Sequence, residues 1–569
     1  MIPTRVRDAV LGLCAVAVGV VCAVRPFPSV PVLALVVAIG LIVAGVAEAT
    51  RASARSRVPR RLGAAALIVT GVILLAWQGL SIVAVAVVAG VGLAGWGVSR
   101  LVDAARGTDR WSRISDALLG VAAIATAVAA LAWPGVTVFA ATFTAGIALV
   151  WFGLTRLYRA VRGDRRHRRR VHSAVRLAAA VVAVAVAVPL AAVSVRAHQA
   201  APTPDDFYSA TVDPATPPGT LIRAEPFTRD LPPDAQAWRI LYTTTRDEGQ
   251  PATASALVVA PYDPPTGPRP VIAWAHGTTG VARGCAPSLL DEPFQAGATP
   301  ALPQVIDSGS VLVATDYIGL GTPGPSPYVI GQGEARSVLD SVRAARTMRG
   351  LHLADETVVW GHSQGGHAAL WTGILAPSYA PDVHVLGVAA LAPAADLVGL
   401  ATDLTTMTGG PLLAAYVVDA YARGYPEVHR ADYLDVQARL PMRAMAARCL
   451  HEPAATVSVI EALLLSDDPY SQSPAQGPLG ARLAQNTPSE KLSMPVFIAQ
   501  GADDPLINPQ GQQRFAAAQC ASGSTVEFSM YPGLDHMSIV APDSPAVADL
   551  LSWTAGREKR AAPQSNCTS

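Results

Sequence analysis

Residues 357–370 read TVVWGHSQGGHAAL, and the stretch from Gly361 to Gly365 has the pattern G-x-S-x-G. An apolar, β-branched run precedes Ser363, and a run of small residues follows it. The pattern predicts a buried strand that turns sharply into a helix, with Ser363 at the apex and two glycines where the chain passes close to itself. The hydroxyl would then stand at a helix N-terminus, where developing negative charge is stabilised.

The composition divides the chain into two halves. Its 569 residues are too many for one ordinary domain, and its formal charge of +1 gives no reason to expect a nucleic-acid partner. The mean hydropathy of +0.34 is high for a soluble protein. Residues 1–198 are rich in Ala, Val, Leu and Gly, whereas residues 199–569 have the mixed composition of a globular enzyme. The sequence therefore predicts a transmembrane domain over 1–198, followed by a water-soluble half.

Seven apolar segments in the first half are candidates for membrane-spanning helices, which need ~20 residues each. The first six form three hairpins, in which Gly45, Gly97 and Gly153 recur at similar offsets from short turns, so a two-helix unit is repeated. This half resembles the HdeD-like short-repeat membrane proteins. The predicted segments are roughly 8–24, 29–49, 62–78, 80–99, 115–133, 136–155 and 174–196.

The arginines predict the orientation of these segments. They cluster in the loops after the second, fourth and sixth segments, whereas the turns at 77–79 and 133–135 carry no charge. Basic loops stay in the cytoplasm, so we expect a cytoplasmic N-terminus and an extracytoplasmic second half. The prediction is thus a multi-pass protein of the cell membrane, with the lipid bilayer as a partner.

The second half predicts an α/β domain. Residues 199–235 are rich in proline and are interpreted as a linker and lead-in. Over residues 236–569, apolar strand-like runs alternate with helical patterns, which indicates a mostly parallel, doubly wound sheet. Between the sixth and seventh core strands, residues 396–493 are too long for a loop and largely helical in pattern. We interpret them as a cap over Ser363 that shapes a channel for an acyl chain.

A serine nucleophile needs a histidine base and a carboxylate that orients it. In this kind of fold the chain order is serine, acid, histidine. Of eleven histidines, only His536 follows the last core strands, so His536 is the predicted base. His276, His362 and His367 are interpreted as local packing or hydrogen-bonding residues.

His536 follows the last core strand. The acid should lie in the loop after the second-to-last core strand. The sequence FIAQGADDPLI at 497–507 places Asp504 at the loop apex, with Asp503 as the close competitor. Asp396, after the sixth strand, is a more distant candidate, and Asp535 is interpreted as a solvated neighbour. We predict the triad Ser363, Asp504 and His536.

A tetrahedral intermediate also needs hydrogen-bond donors for its oxyanion. The residue after the nucleophile offers one donor, the backbone N–H of Gln364. The second should come from a loop after an earlier strand. Two loops qualify: residues 276–280, HGTTG, and residues 315–319, TDYIG.

Several stretches of the second half form one combined signature: Phe207 and Tyr208, 218–223, 275–280, 315–317, 361–365, the Asp504 motif and His536. With them, residues of about 205–555 resemble the secretory lipase family, lipase A-type α/β-hydrolases with a helical cap. The resemblance implies acyl-ester or triacylglycerol substrates. It also implies an oxyanion hole that uses the aspartate of the D-Y pair, which is Asp316 here. We therefore expect Asp316 with Gln364, and Gly277 as the second choice. The fusion to seven spans departs from the family, whose members are usually secreted free.

The six cysteines divide between the two halves of the chain. Cys14 and Cys22 lie in the first apolar segment and are expected to be reduced. The other four lie in the half that we expect in an oxidising compartment, and we favour the pairs Cys285–Cys449 and Cys520–Cys567. No metal-ligand cluster or phosphate-binding loop is present in the sequence, so we predict no metal and no cofactor.

These features predict a membrane-anchored serine ester hydrolase, a lipase or esterase, that forms an acyl-enzyme on Ser363. One alternative is a cell-envelope acyltransferase with the same triad, which product analysis with an acceptor alcohol would distinguish. Another is a membrane stress or transport module with an inactive hydrolase domain, which would leave Ser363→Ala without a phenotype.

Overall fold

The structure, a computed structural model, describes residues 4–24, 82–106, 110–132 and 202–567, except for 248, 264–266, 437 and 466–468, together with scattered positions between 42 and 192. Two compact units are present: Met1–Ala200 with Leu463–Leu465, and Ala201–Ala462 with Ser466–Ser569. The division falls close to the predicted boundary at residue 198.

Three helices of the first unit are described in full: α1 (Thr4–Val24), α2 (Ile82–Arg106) and α3 (Arg110–Ala132). They cover the predicted segment 8–24 and most of the predicted segments 80–99 and 115–133. Within the described part of the chain, no helix combines the length and the apolar character needed to cross a membrane. The prediction of seven spans is therefore not confirmed, and the other four segments lie largely outside the described residues.

Helices α2 and α3 approach each other closely at two glycines. A Cβ added at Gly97 would lie 2.8 Å from the carbonyl oxygen of Gly120, and one at Gly120 would lie 2.9 Å from that of Gly97. An ion pair of 3.2 Å between Arg100 and Asp116 joins the same two helices. Gly97, one of the recurring glycines of the predicted repeat, thus lies at a helix–helix contact.

Among the described residues of the second unit, nine strands form one sheet. In chain order they are β1 (Leu221–Phe227), β2 (Ala235–Thr245), β3 (Pro251–Pro261), β4 (Arg269–Ala275), β5 (Val311–Thr315), β6 (Leu353–His362), β7 (His384–Leu391), β8 (Val496–Gly501) and β9 (Val526–Tyr531). Across the sheet the order is β1-β2-β3-β5-β4-β6-β7-β8-β9. The first three strands and the β3–β5 pair are antiparallel, and all the other pairs are parallel.

The parallel strands β4 and β8 are buried on both faces, which explains their continuous apolar runs. The helices outside the predicted cap are α4 (Pro293–Ala296), α5 (Leu302–Asp307), α6 (Gly331–Arg346), α7 (Gln364–Tyr379), α14 (Pro509–Ala521) and α15 (Pro545–Glu558). Of these, α6, α7 and α14 pack on one face, and α5 and α15 pack on the other. Because parallel strands end at the same edge, the loops after β4, β6, β8 and β9 meet there.

Six helices lie between β7 and β8, where the cap was predicted over 396–493. They are α8 (Leu397–Asp403), α9 (Gly410–Gly424), α10 (Arg430–Tyr433), α11 (Arg439–Ala446), α12 (Ala455–Leu464) and α13 (Gly477–Gln485). Residues 396–493 therefore form a helical insertion between two neighbouring strands of the sheet.

The predicted linker and lead-in, 199–235, is part of the folded unit over much of its length. Tyr208 is fully buried, with its hydroxyl 2.8 Å from that of Ser288, and β1 pairs with β2 at the edge of the sheet. In β1 only Phe227 is buried, so the strand lacks the alternation by which a sequence reveals a strand.

Two disulfides join Cys285 to Cys449 and Cys520 to Cys567, which confirms both predicted pairs. The second disulfide fixes the C-terminal residues alongside β9, where the N–H of Asn566 donates to the carbonyl of Val526 at 3.1 Å.

Candidate active site

Ser363 lies between the end of β6 and the start of α7, with φ +57° and ψ −117°. Such backbone strain costs about 1–3 kcal/mol and persists only where the surroundings fix the chain. The two glycines provide the space for this turn. A Cβ at Gly361 would overlap the carbonyl oxygen of Gly365, and one at Gly365 would overlap that of Ala275. The turn brings the Ser363 hydroxyl to the carboxyl edge of the sheet.

The loop after β9 places His536 between Ser363 and Asp504. Its Nε2 lies 2.9 Å from Ser363 Oγ, and its Nδ1 lies 2.8 Å from Asp504 Oδ2. All three residues are buried, each with less than a tenth of its surface exposed. The structure thus brings the three predicted residues together with the hydrogen bonds that a nucleophile, a base and an orienting acid require.

The Asp504 carboxylate is held by the backbone of its own loop. Its Oδ1 accepts hydrogen bonds from the N–H groups of Leu506 and Ile507, both at 2.8 Å, and its Oδ2 accepts one from the Gln500 amide at 3.0 Å. Burial by itself would raise the pKa of Asp504. The hydrogen bonds from His536, Ile507 and Leu506 outweigh burial and hold this pKa below its ordinary value.

The other candidate acids lie elsewhere. Asp503 is exposed, beside Asp504 in the chain. Asp396 caps α8 by accepting from the N–H of Gly399 at 2.9 Å. Asp535 accepts from the hydroxyl and the N–H of Ser538. Of the four aspartates considered from the sequence, only Asp504 contacts the His536 ring through its carboxylate.

Asp316 does not fit the role of oxyanion donor that was predicted for it. Its N–H already donates to the carbonyl of Ser255 at 2.7 Å. Its carboxylate accepts from the hydroxyls of Ser255 and Ser288, both at 2.6 Å, and from the N–H of Ser288 at 2.9 Å. This fully buried aspartate therefore ties β3, β5 and the segment around Ser288 together.

The other loop considered, 276–280, passes directly beside the nucleophile. A Cβ on Gly277 would lie 4.0 Å from the Cβ of Ser363, and Thr278 lines a cavity together with Ser363 and Gln364. The N–H of Gln364, at the first position of α7, has no acceptor within the helix. No backbone acceptor is found for the N–H of Gln364 or Thr278 among the residues that the structure describes.

Two connections join this loop to the cap. The N–H of Leu450 donates to the carbonyl of Thr279 at 2.8 Å. One residue earlier in the cap, Cys449 forms the disulfide with Cys285, whose carbonyl accepts from the Thr279 hydroxyl at 2.8 Å. The position of the loop beside Ser363 thus depends on the cap.

The three histidines interpreted as local residues each have a defined contact. His276 Nδ1 lies 2.6 Å from the carbonyl oxygen of Gly277, and burial lowers the pKa of His276 to about 4. His362 Nε2 lies 2.8 Å from the carbonyl oxygen of His536. Burial and the nearby His536 lower the pKa of His362 to about 3, so this ring is neutral and donates to that carbonyl. His367 pairs with Glu334 at 3.0 Å.

Glu334 and Asn486, two further buried polar residues next to the nucleophile helix, were not found from the sequence. Glu334 begins a stretch that has the pattern of an ordinary amphipathic helix, and Asn486 follows a cap helix. The only available signal was His367, four residues after the nucleophile and therefore on the same side of α7.

The cavity beside Ser363 is lined mainly by apolar cap residues. Its polar members include Thr278, Ser363 and Gln364. The apolar cap side chains are Leu397, Leu400, Ala401, Leu404, Leu413, Val417 and Leu483. Such a lining is suited to a hydrocarbon chain next to the reacting group.

Two protein families match this chain. The profile of the secretory lipase family matches residues 296–564, which include Ser363, Asp504 and His536. A family described as a short repeat of unknown function matches residues 10–63, 62–128 and 118–191. The three matched segments agree in number and position with the three predicted hairpin repeats.

Individual relatives are lipases. Lipase A of Moesziomyces aphidis is 25% identical over 386 residues, which cover 64% of this chain and 82% of that protein. A secreted triacylglycerol lipase of Malassezia furfur is 24% identical over 321 residues, or 52% of this chain and 63% of that protein. A probable inactive lipase of Mycobacterium tuberculosis is 24% identical over 363 residues, or 60% of this chain and 78% of that protein. Together with the family match, these relatives support an ester hydrolase of the lipase or esterase type.

Solved structures show the same fold. Two crystal structures of Candida antarctica lipase A, one in its closed state, superpose with TM-scores of 0.55 and 0.56 at 20% identity. Each alignment covers 65% of this chain and 89% of the lipase. The C-terminal domain therefore has the α/β-hydrolase fold.

Proposed function

We propose that the C-terminal domain hydrolyses acyl esters through an acyl-enzyme on Ser363. The observation that carries this proposal is the placement of one imidazole, that of His536, within hydrogen-bond distance of both Ser363 Oγ and Asp504. The ester-hydrolase relatives point to the same chemistry, whereas the probable inactive relative shows why activity must be measured.

In the first half of the reaction, Ser363 Oγ attacks the ester carbonyl while His536 Nε2 takes the hydroxyl proton. Asp504 keeps the ring oriented and stabilises the imidazolium that forms. His536 then gives the proton to the leaving alcohol, and the acyl group remains on Ser363. In the second half, His536 activates a water molecule that releases the acid.

The oxyanion of each tetrahedral intermediate is stabilised by the N–H of Gln364 and by the loop 276–280 at Thr278. This assignment replaces Asp316, whose N–H is occupied by Ser255. The position of Gln364 at the start of a helix adds the favourable end of the helix dipole.

The substrate proposed is an ester with an apolar acyl chain, such as a triacylglycerol. Its acyl chain would lie against the leucines of the cap that line the cavity beside Ser363. The Malassezia furfur relative, a secreted triacylglycerol lipase, supports the same class.

The test is hydrolysis of p-nitrophenyl esters with short and long acyl chains by the full-length protein in detergent. Ser363→Ala should lower kcat by about 10⁵- to 10⁶-fold, because the nucleophile is lost. Ser341→Ala is the matched control, since this serine is also buried and its hydroxyl donates to the carbonyl of Val338 in its own helix. A wild type that is folded but neither hydrolyses esters nor reacts with a fluorophosphonate would refute the proposal.

We further propose that the N-terminal half anchors the hydrolase to the outer face of the cell membrane. The apolar segments, the one-sided arginine loops and the two disulfides support this placement, although the described helices supply no span. The resemblance to HdeD-like proteins stays a prediction. Carbonate extraction of membranes, with a topology reporter fused after residue 198, tests the anchor and its orientation. Release into the soluble fraction would contradict the anchor.

A further inference from the structure

One buried carboxylate, that of Glu334, receives three hydrogen bonds beside the nucleophile. Its Oε1 accepts from the N–H of Val329 at 3.0 Å and from Gln364 Nε2 at 2.7 Å. Its Oε2 lies 3.0 Å from His367 Nδ1. Glu334 has no exposed surface, and it lies in the first turn of α6.

Two of these partners belong to the first turn of the nucleophile helix. Gln364 directly follows Ser363, and the N–H of His367 donates to the carbonyl of Ser363 at 3.1 Å. The Glu334 carboxylate therefore holds the helix turn that follows the strained backbone of Ser363. Such strain persists only when neighbouring contacts fix the backbone.

Glu334 also determines how the Gln364 amide is oriented. A carboxylate oxygen accepts hydrogen bonds only, so it must face the amide nitrogen of Gln364. The amide oxygen is then left buried, with no hydrogen-bond partner among the described residues. The amide is thus held from one side only, by Glu334.

Asn486 connects this cluster to the cap. Its backbone carbonyl accepts from His367 at 2.8 Å and from Trp371 Nε1 at 2.7 Å. Its side-chain oxygen accepts from the N–H of Gly331 at 3.0 Å, and its amide nitrogen donates to the Tyr425 hydroxyl at 2.9 Å. Asn486 directly follows α13, so the end of the cap is bonded to both helices that flank the nucleophile.

The protons of the pair follow from these contacts. His367 Nε2 must carry a hydrogen, because a carbonyl oxygen can only accept. One further proton lies between His367 Nδ1 and Glu334, and the pair is neutral overall whichever partner holds it. Burial raises the pKa of Glu334 against the opposing effect of its hydrogen bonds from His367 and Gln364. No uncompensated charge is therefore buried, and the cluster can be permanent.

We propose that Glu334, His367 and Asn486 are positioning residues that hold the Gln364 N–H in place as an oxyanion donor, and that this placement depends on the seating of the cap at Asn486. The inference rests on the proposed ester hydrolysis. None of the three residues contacts the reacting atoms, so their effect should appear in the stabilisation of the transition state and not in the binding of substrate.

The test compares Glu334→Ala, Glu334→Gln and the matched control Asp340→Ala in the full-length protein. Asp340 is a fully buried carboxylate on the same helix, and it is bonded to Thr244, to Arg343 and to Tyr379 at the far end of α7 instead of to the first turn of that helix. Glu334→Ala should lower kcat about 100-fold with KM almost unchanged, because a misplaced oxyanion donor is felt only in the transition state. Asp340→Ala should lower Tm and leave kcat almost unchanged.

Three further readouts separate positioning from a general structural role. Inhibition by a long-chain trifluoromethyl ketone, which forms an oxyanion on Ser363, should weaken in Glu334→Ala by the same factor as kcat, whereas inhibition by the free fatty acid should not change. Glu334→Gln should restore kcat, since the glutamine can accept from Gln364 and donate to His367 Nδ1. Asn486→Ala, which keeps its carbonyl, should lower kcat about tenfold through loss of its side-chain hydrogen bonds.

The outcomes are distinguishable. An active wild type with an unchanged kcat in Glu334→Ala overturns the positioning role alone. If Glu334→Ala does not fold, the comparison of Asn486→Ala with Asp340→Ala decides, and equal kcat values in these two variants overturn the inference. A folded wild type without hydrolysis or fluorophosphonate labelling overturns the proposed function, and the positioning role with it.

Discussion

Two carboxylate–histidine pairs flank the nucleophile helix, and only one of them faces the nucleophile. In the first pair, Asp504 holds His536, whose other ring nitrogen lies 2.9 Å from Ser363 Oγ. In the second, Glu334 holds His367, whose other ring nitrogen lies 2.8 Å from the carbonyl oxygen of Asn486. A hydroxyl can give a proton to imidazole, whereas a carbonyl oxygen has no proton to give and can only accept a hydrogen bond. The two pairs therefore share their composition and differ in chemistry.

The two carboxylates differ in the same sense. Asp504 accepts hydrogen bonds from His536 and from the N–H groups of its own loop, which outweigh burial, so its pKa is held below the ordinary value and it stays ionised opposite the base. Glu334 is wholly buried, and burial raises its pKa in spite of its donors. A carboxylate that must stabilise a transient imidazolium needs the first environment. A carboxylate that joins two helices and a cap can have the second environment, that of Glu334.

The largest effect is expected from a substitution that disrupts the first pair. Asp504→Asn should lower kcat about 10³- to 10⁴-fold, because the amide no longer stabilises the imidazolium or fixes its tautomer. Steady-state kinetics of Glu334→Gln, the same change in the second pair, should show less than about a threefold loss. Asp503→Asn, an exposed neighbour, is the control. Similar losses in Asp504→Asn and Glu334→Gln would remove the distinction drawn here between the two pairs.

A smaller effect is expected from His362, which supports the first pair through the backbone of His536. His362→Phe removes one buried hydrogen bond, worth about 1–2 kcal/mol, so kcat should fall about tenfold while KM changes little. The exposed His384, replaced by Gln, serves as the reference substitution. If His362→Phe leaves kcat at the wild-type value, the carbonyl of His536 needs no such support.

The smallest effect concerns the pH dependence of stability. It involves Asp247, which is connected to the second pair through Asn486 and Tyr425. The Tyr425 hydroxyl, bonded to Asn486, also donates to Asp247 at 3.3 Å. Burial raises the pKa of Asp247 from its ordinary 3.8 to about 6, with the Tyr425 hydrogen bond partly opposing it. Between about pH 4 and 6 the folded chain keeps a proton that the unfolded chain has lost, so the free energy of unfolding falls as the pH rises through this window.

Asp247→Asn cannot titrate and should lack this fall. Relative to wild type, its Tm should be higher by a few degrees at pH 7 than at pH 4, as measured by thermal unfolding across that range. The buried His276 and His362 contribute to both proteins alike, and their effects cancel in the difference. Parallel Tm curves would show that the Asp247 carboxyl titrates as it does in water.

The sequence narrowed the first pair to one histidine and two adjacent aspartates because chain order is restrictive. G-x-S-x-G fixes the turn at Ser363, and only His536 follows the last core strands. The short spacing after β8 then leaves Asp503 and Asp504, and the backbone N–H groups of Leu506 and Ile507 favour Asp504. The contacts of those N–H groups depend on how the loop folds, so only the structure shows which of the two adjacent aspartates they bind.

The second pair could not be predicted in this way. Glu334, His367 and Asn486 are far apart in the chain, and no motif relates their types. The environment of Asp316 could not be predicted either, since a family pattern gives a residue type, whereas the hydrogen bond from its N–H to Ser255 depends on where β5 meets β3. Gly277 and Thr278 lie in a loop that the sequence indicated as a candidate source of an oxyanion donor. Their closeness to Ser363, however, results from the folding of the sheet edge.

The disulfide between Cys285 and Cys449 spans 164 positions of the chain, and it secures the loop beside Ser363. This bond cannot form until the ribosome has made half of the cap and the two thiols have met an oxidant. During synthesis, and in any reducing compartment, the loop 276–280 lacks this tether. The timing of oxidation therefore governs when the loop beside Ser363 acquires its covalent link to the cap.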